Sequence, residues 1–344
     1  MSRLRVAVVG AGRAGAVHAA NLTDYAARAE VVAIVDERAK AAAELAARVG
    51  GALACPSLDE AFERGSPDAV VVSTPTFTHR ELVVAAASAG KHVFCEKPMA
   101  LSIAECDAMI EAAETAGVVL QIGFMRRFQP EFVEARRRIE AGDLGEPMVI
   151  KSLTRGPGLP PPWAWDIAKS NGMLAEVNSH DFDSVRWLTG SDIERVYAEV
   201  AHHKGRDRGV DADDFYDSAV VALRFASGAI GTIDGTCPAD YGYDARVEIV
   251  CSEGLLVVGD LRGQAIVEVR DRDVGTVTPL HRTWPDRFGE AYRAEIRAFA
   301  DSVLDRTQPA VSGADGRAAV AAVLASNRSW REGRPVMVAE EASV

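Results

Sequence analysis

The turn Gly10-Ala-Gly12-Arg-Ala-Gly15 joins a β-branched run, LRVAVV, to an Ala-rich stretch, AVHAANLTDYAARA. No other feature restricts the fold as much. Three glycines at this spacing are a weak signal alone. Set between a strand and a helix, with an acidic residue about 20 positions on, they fit a dinucleotide-binding turn. Asp36 supplies that residue at the end of the next apolar run, VVAIVD. Gly10 permits the tight turn, Gly12 lets the backbone approach a pyrophosphate, and Gly15 lets helix and strand pack closely. Arg13 and Ala14 fall in the first helical turn, where free N–H groups and the helix dipole favour an anion. Asp36 would accept hydrogen bonds from a ribose and repel a 2′-phosphate, which favours NAD over NADP. Arg38, two residues on, could instead hold such a phosphate.

The alternation continues to about Phe124. DAVVVSTP, KHVFCEKP and VVLQIGF read as strands. ERAKAAAELAARVG, HRELVVAAASAG and SIAECDAMIEAAETAG read as helices, the last opening on Ser102 with Glu105 three residues later, a capping-box spacing. Apolar strands without polar alternation belong to parallel sheets covered on both faces. Residues 1–124 are therefore predicted to form a doubly wound α/β domain of the Rossmann type. Ligands lie at the carboxyl ends of such strands. Two segments end strands here. Ser73–His79 offers Ser73, Thr74, Thr76 and His79 to a cofactor, and Cys95–Pro98 offers Glu96, with Lys97 at the crevice mouth.

After Phe124 the rhythm changes. A helix, PEFVEARRRIEAGDLG, precedes EPMVIKSLTR, RVYAEVAHH, SAVVALRFASGAIGTIDGTC, DARVEIVCSEGLLVVGD and AIVEVRDRD. These read as strands joined by Gly, Asp and Ser turns, which suits an antiparallel sheet. The loop Gly156–Trp163 is too rich in proline for an inner strand. Two helical patterns close the chain, EAYRAEIRAFADSVL and GADGRAAVAAVLASNRSW. Residues 125–344 are predicted to be a second α/β domain that binds substrate and oligomerises. A broad sheet with one face bare of helices favours a homodimer or homotetramer.

GMLAEVNSHDFDSVRW, Gly172–Trp187, is predicted to be one helix. At about 100° per residue, Glu176, His180, Asp183 and Trp187 share one face, and Met173, Leu174, Val177, Val185 and Leu188 the other. Asp181 projects into the apolar face. Burial there is costly without a partner, so a buried donor is expected beside it, an arginine or backbone amides. Arg126 and Arg127 either reach a ligand or are solvated at a helix start. Trp163 and Trp165 either stack on a sugar ring or anchor the Pro-rich loop. Tyr241 and Tyr243, two apart on a strand, share a face and either reach the site or pack. No grouping of His18, His92, His202, His203 and His281 with carboxylates suggests a metal site.

A net charge of −12 argues against a nucleic-acid or anionic-membrane partner. No run is long and apolar enough to span a bilayer, and the N-terminus lacks the pattern of a signal peptide. The five cysteines are scattered, as expected of reduced thiols in the cytoplasm.

Taken together, GAGRAG, STPTFTHRELVVAAASAGKHVFCEKPMA and SHDFDSVRWLTG resemble the Gfo/Idh/MocA oxidoreductases. GFMRRFQP, YGYDARVEI and RFGEAYRAEIRAF are similar to the inositol 2-dehydrogenase branch. The resemblance runs through nearly the whole chain, in order. It implies a dinucleotide-binding domain, then a domain with a large, open, mainly antiparallel sheet. It implies hydride transfer between NAD(P) and a sugar or cyclitol. Lys97 matches the family's Glu-Lys-Pro lysine and His180 its helix histidine. Glu176 stands where that branch has an aspartate, one methylene shorter, and WAWDIAKSNG also departs from the branch. A charged lysine can only donate, whereas a histidine with a pKa of about 6.5 can act as a base. Lys97 would then donate to the reacting oxygen and His180 take its proton. Glu176 would orient the imidazole or bind a hydroxyl, with Arg127, Trp163 and Tyr243 on the substrate. A neutral Lys97 acting as base is the competing assignment. Competing functions are a biosynthetic sugar or aminosugar oxidoreductase, a hydrolase or dehydratase that recycles bound NAD, and a non-catalytic NAD(P)-binding regulator. The presence of both Lys97 and His180 argues against the regulator.

Overall fold

The computed structural model describes residues 3–210, 214–259 and 281–343. They form two units, Met1–Met125 with Glu290–Arg317, and Arg126–Gly289 with Ala318–Val344.

In the first unit the β-branched runs become β1 (Leu4–Val9), β2 (Ala29–Val35), β3 (Leu53–Cys55), β4 (Ala69–Val72), β5 (His92–Glu96) and β6 (Leu120–Gly123). They lie in the order β3-β2-β1-β4-β5-β6, each pair parallel. Every residue of β4 is buried, as its uninterrupted AVVV requires in mid-sheet. The winding reverses between β1 and β4, so their carboxyl ends open the crevice where ligands lodge. Ser102 caps its helix as expected, its Oγ accepting from the Glu105 amide (3.2 Å). The Glu105 carboxylate reaches back to the Leu101 amide (2.8 Å). The sequence rhythm did not disclose β3 and the helix Leu58–Gly65 that follows it.

A single cut near Phe124 is what the rhythm suggests, yet the first unit also takes in Glu290–Arg317. The reason is apolar packing. Ile296, Phe299 and Ala300 enter the cluster of Val6, Val8, Leu22 and Phe94. Phe94 meets Phe299 edge-on at 5.8 Å. Arg28 binds Asp301 (2.6 Å), and the Val311 carbonyl accepts from the Ile122 amide (3.2 Å).

The second unit is built on β7 (Pro147–Arg155), β8 (Ile193–Ala201), β9 (Ser218–Phe225), β10 (Ile230–Thr236), β11 (Asp244–Cys251), β12 (Leu255–Val258) and β13 (Val336–Met337). The order is β12-β11-β7-β10-β9-β8-β13. Among these pairs only β7 with β10 is parallel, so the sheet is mixed and mainly antiparallel. The segment AIVEVRDRD, 265–273, lies outside the described residues. Alternation is clean on β9, where Ala219, Val221 and Leu223 point inward and Val220, Ala222 and Arg224 outward. The helix Ser179–Thr189 lies on the inner face against β7. No helix among the described residues is long and apolar enough to cross a membrane.

Candidate active site

The turn after β1 is shaped by close approach. Gly10 has φ +100°, and a Cβ on it would stand 2.6 Å from the Ser73 carbonyl oxygen. A Cβ on Gly15 would run into the Gly10 carbonyl. Ser73 pins the turn by donating from Oγ to the Val9 carbonyl (3.0 Å). Gly12 differs, because a Cβ there would meet nothing within 4 Å. Protein packing does not require a glycine at that point, whereas a ligand lying against the backbone would. The helix Arg13–Thr23 begins there without a side-chain cap, so its first N–H groups suit a pyrophosphate. These residues fit a bound dinucleotide.

Asp36 follows β2 and is held on three sides. It accepts from the Ala11 amide (2.8 Å), from the Arg38 amide (3.0 Å), and from the Arg38 guanidinium on both oxygens (2.9 and 3.0 Å). Burial raises its pKa, but Arg38 and the two amides outweigh burial and hold the carboxyl below its ordinary value. Arg38 is thus drawn onto Asp36, and an ionised acceptor stands at the end of β2, where a ribose is read.

The two strand-end segments are braced from within the unit. Thr74 and Thr78 share a hydroxyl hydrogen bond (2.6 Å), and Thr76 is buried. The buried His79 ring lies 2.9 Å from the Pro98 carbonyl through Nδ1 and 2.9 Å from the Thr74 carbonyl through Nε2. Burial lowers its pKa, opposed in part by those carbonyls. Glu96 is 6% exposed. One of its oxygens meets His18 Nε2 at 2.6 Å, and the other accepts from the Lys97 amide (3.1 Å). Burial would raise the Glu96 pKa, but His18, Lys97 and the Lys97 amide hold it below the ordinary value. His79 and Glu96, expected at the cofactor, are thus turned inward to tie the strand-end loops together. Lys97 follows half-buried, on a cis peptide to Pro98.

In the second unit the expected single helix is two. Gly172–Glu176 ends, Val177 and Asn178 turn, and Ser179–Thr189 begins. Asn178 is the reason. Its carbonyl accepts from the Asp181 and Phe182 amides, starting the new helix. Its side-chain amide donates to Asp181 (2.8 Å). Glu176 therefore closes one helix and His180 is the second residue of the next, so no continuous helix sets their spacing. Glu176 is half-buried and His180 buried.

Asp181 has the expected donor. Arg126 Nη1 donates to it at 2.8 Å, and both side chains are fully buried. Ser152 (2.5 Å) and Thr154 (2.7 Å), inward-facing on β7, donate to it as well. Arg126 also donates to Thr154. Gly235 on β10 leaves room for Asn178, whose amide a Cβ there would strike. Two residues on, Asp183 is gripped by Arg127 through Nε (3.0 Å) and Nη2 (2.5 Å). The Arg127 guanidinium lies 5.7 Å over Trp187. Both arginines are thus partners of the His180 helix rather than solvated, Arg126 buried and Arg127 half-buried. Tyr243 is buried, edge-on to Phe288 at 6.1 Å. Burial raises its pKa, with Arg126 beside it acting the other way. Tyr241 is exposed. The two tyrosines do not share a face, because Gly242, at φ +133°, turns the chain between them ahead of β11. Trp165 is fastened by Nε1 to the Pro160 carbonyl (2.9 Å), and Trp163 is half-buried in the same turn.

The sequence pattern offered His18 only as an unlikely metal ligand. The spacing of Gly15, His18, Ala19 and Leu22, all buried, places it on the inward helix face.

An all-parallel unit with an uncapped helix start at its glycine turn and an ionised Asp36 defines an NAD-binding protein. Residues 4–124 match the oxidoreductase family with an NAD-binding Rossmann fold, GFO_IDH_MocA, and residues 132–257 match the GFO/IDH/MocA C-terminal domain. The chain belongs to the GFO/IDH/MocA oxidoreductase family. It is 37% identical to a myo-inositol 2-dehydrogenase of Thermotoga maritima, over 98% of this chain and 99% of that one. It is 34% identical to a scyllo-inositol 2-dehydrogenase (NAD(+)) of Bacillus subtilis, over 98% and 96%. The crystal structure of Lactobacillus casei scyllo-inositol dehydrogenase with bound NAD(H) and scyllo-inositol superposes with a TM-score of 0.87 at 25% identity, covering 98% of this chain and 100% of that one.

Proposed function

We propose that the protein is an NAD-dependent inositol 2-dehydrogenase, oxidising a ring hydroxyl of a cyclitol to the ketone. The reading is carried by the end-to-end likeness to inositol dehydrogenases. Gly10, Gly12, Arg13, Ala14 and Gly15 hold the pyrophosphate, Asp36 the adenosine ribose, and Ser73, Thr74 and Thr76 line the strand ends beside it. Bound NAD supplies the hydride acceptor. Lys97 donates to the substrate oxygen and stabilises its developing negative charge. His180 accepts the hydroxyl proton as general base. Glu176, carrying one methylene more than the aspartate of the inositol branch, holds a neighbouring hydroxyl, with Trp163 at the ring. Arg127 and Tyr243 act from behind, through Asp183 and Arg126.

The test is NADH production from myo-inositol, scyllo-inositol, aldoses and sugar acids, with NAD and NADP supplied separately. A cyclitol with NAD is expected to give the highest kcat/KM. His180→Ala is expected to lose roughly 10²–10⁴-fold in kcat while still binding NADH. An aldose as best substrate, or wild-type turnover by His180→Ala, would overturn the corresponding assignment.

The outward sheet face supports a homo-oligomer. Tyr197, Val220, Ile230, Leu255 and Val257 are exposed on one side of β8, β9, β10 and β12. A light-scattering mass above 36.7 kDa at micromolar concentration is expected, and a monomer would refute it. Five buried, unpaired cysteines suit a cytoplasmic protein.

A further inference from the structure

We propose that His18 is a positioning residue for Lys97, acting through Glu96. This rests on Lys97 being the group that meets the reacting oxygen. The His18 side chain is fully buried and its Nε2 lies 2.6 Å from Glu96 Oε1. An ionised carboxylate only accepts, so Nε2 carries the proton. The other oxygen, Oε2, holds the Lys97 amide at 3.1 Å. One carboxylate thus spans a helix and the backbone of the lysine.

The pair has little freedom to shift. The His18 ring is edge-on to Phe94 at 4.9 Å and to Tyr292 at 5.8 Å. Gly123, at the end of β6, closes the other side, since a Cβ there would stand 3.1 Å from Glu96 Oε2. His18 Nδ1 is buried with no hydrogen-bond partner among the described residues. An imidazole placed for packing alone would be a poor choice, because an apolar residue fills space without an unmet polar atom. The Nε2 bond is what the imidazole adds.

The helix concerned is Arg13–Thr23, whose first turn follows Gly12. It therefore carries both the pyrophosphate-binding N–H groups and the residue that fixes Glu96. Through His18 the Lys97 backbone is referenced to the cofactor-binding helix as well as to the sheet. A lysine displaced by a fraction of an ångström would bind cofactor normally and catalyse poorly.

The experiment compares wild type, His18→Ala and His18→Gln, whose amide N–H can replace Nε2–H. His18→Ala is expected to lower kcat by roughly 10–100-fold. The NADH Kd, read from nicotinamide fluorescence, stays within a few-fold, and the deuterium isotope effect with a C-deuterated cyclitol rises. His18→Gln is expected to recover most of the rate. Unchanged kcat in His18→Ala, or a loss confined to NADH affinity, overturns the proposal. If His18→Ala does not fold, Glu96→Gln replaces it. Its amide has one acceptor where two are needed, and the same loss of kcat is expected. If wild type oxidises no cyclitol, the functional reading fails separately. The positioning reading is then judged by mass-spectrometric rates of Lys97 acetylation relative to exposed Lys40. A changed ratio in His18→Ala supports it and an unchanged ratio refutes it.

Discussion

Changing Asp181 to asparagine leaves Arg126 as a cation without a counter-charge in the interior of the second unit. The two side chains are 0% and 1% exposed, so water cannot replace the lost partner. Breaking a buried pair from one side costs about 3–5 kcal/mol. At about 2–4 °C per kcal/mol for a unit of this size, the melting temperature should fall by roughly 6–20 °C. Asparagine keeps one of the two acceptor oxygens, so only Ser152 or Thr154 keeps its acceptor, and the larger part of the loss belongs to the unpaired charge. Adding Arg126→Met removes that charge, and the double variant should melt above Asp181→Asn alone. The coupling between the two sites should reach about 0.5–3 kcal/mol. Intrinsic tryptophan fluorescence is a suitable probe, because all five tryptophans, at 163, 165, 187, 284 and 330, lie in the second unit. A double variant less stable than Asp181→Asn, or a single variant costing under about 1 kcal/mol, would refute the reasoning. The pair would then be behaving as if solvated.

Other outcomes follow from the first unit. Gly12→Ala should fold and melt like wild type yet bind NADH more weakly, whereas Gly15→Ala, which strikes the Gly10 carbonyl, should lower the melting temperature; thermal melts with NADH titration separate the two. Asp36→Ala should raise the KM for NAD and improve NADP relative to NAD, since Arg38 is released from its carboxylate; initial rates with both cofactors would show it. Glu96 is held below its ordinary value of 4.5, so its contribution to stability is complete above that pH and lost as pH falls through the lower folded value. The melting-temperature gap between wild type and Glu96→Gln should therefore narrow on acidification below about pH 4.5. All five thiols are buried, and burial pushes Cys106 and Cys237 up to about 12. A thiol reagent at pH 8 should react slowly with native protein and with five groups after unfolding; rapid native reaction would contradict the packing.

Much of the first unit could be read from local pattern. Glycine spacing, apolar strand runs and the Ser102 cap are properties of neighbouring residues, and they sufficed for five of the six strands and the cofactor turn. The strand end put Lys97 at the crevice mouth and the helix period put His180 on a polar face, and the resemblance supplied their roles. What escaped depends on residues far apart in sequence. Asp181 advertised a buried donor, but that Arg126, 55 positions earlier, supplies it was invisible. The break at Val177–Asn178 was hidden because apolar periodicity continues across it. Asn178 interrupts the helix through Asp181 and the β10 backbone, not through its own propensity. Tyr241 and Tyr243 looked like strand neighbours until Gly242 took a positive φ. Glu96 and His79 sat in segments expected to face a cofactor, and only the fold showed that their own polar atoms were already engaged.

The return of Glu290–Arg317 to the first unit bears on how the chain can be cut and recombined. A fragment ending at Phe124 would carry every glycine of the nucleotide turn and all six parallel strands. It would still expose the apolar bed that Ile296, Phe299 and Ala300 fill, and leave Arg28 without Asp301. Such a piece is poorly suited to transplantation as a cassette. A chimera that exchanges cofactor preference between relatives needs three crossover points, after residues 125, 289 and 317, with Glu290–Arg317 travelling alongside the N-terminal segment.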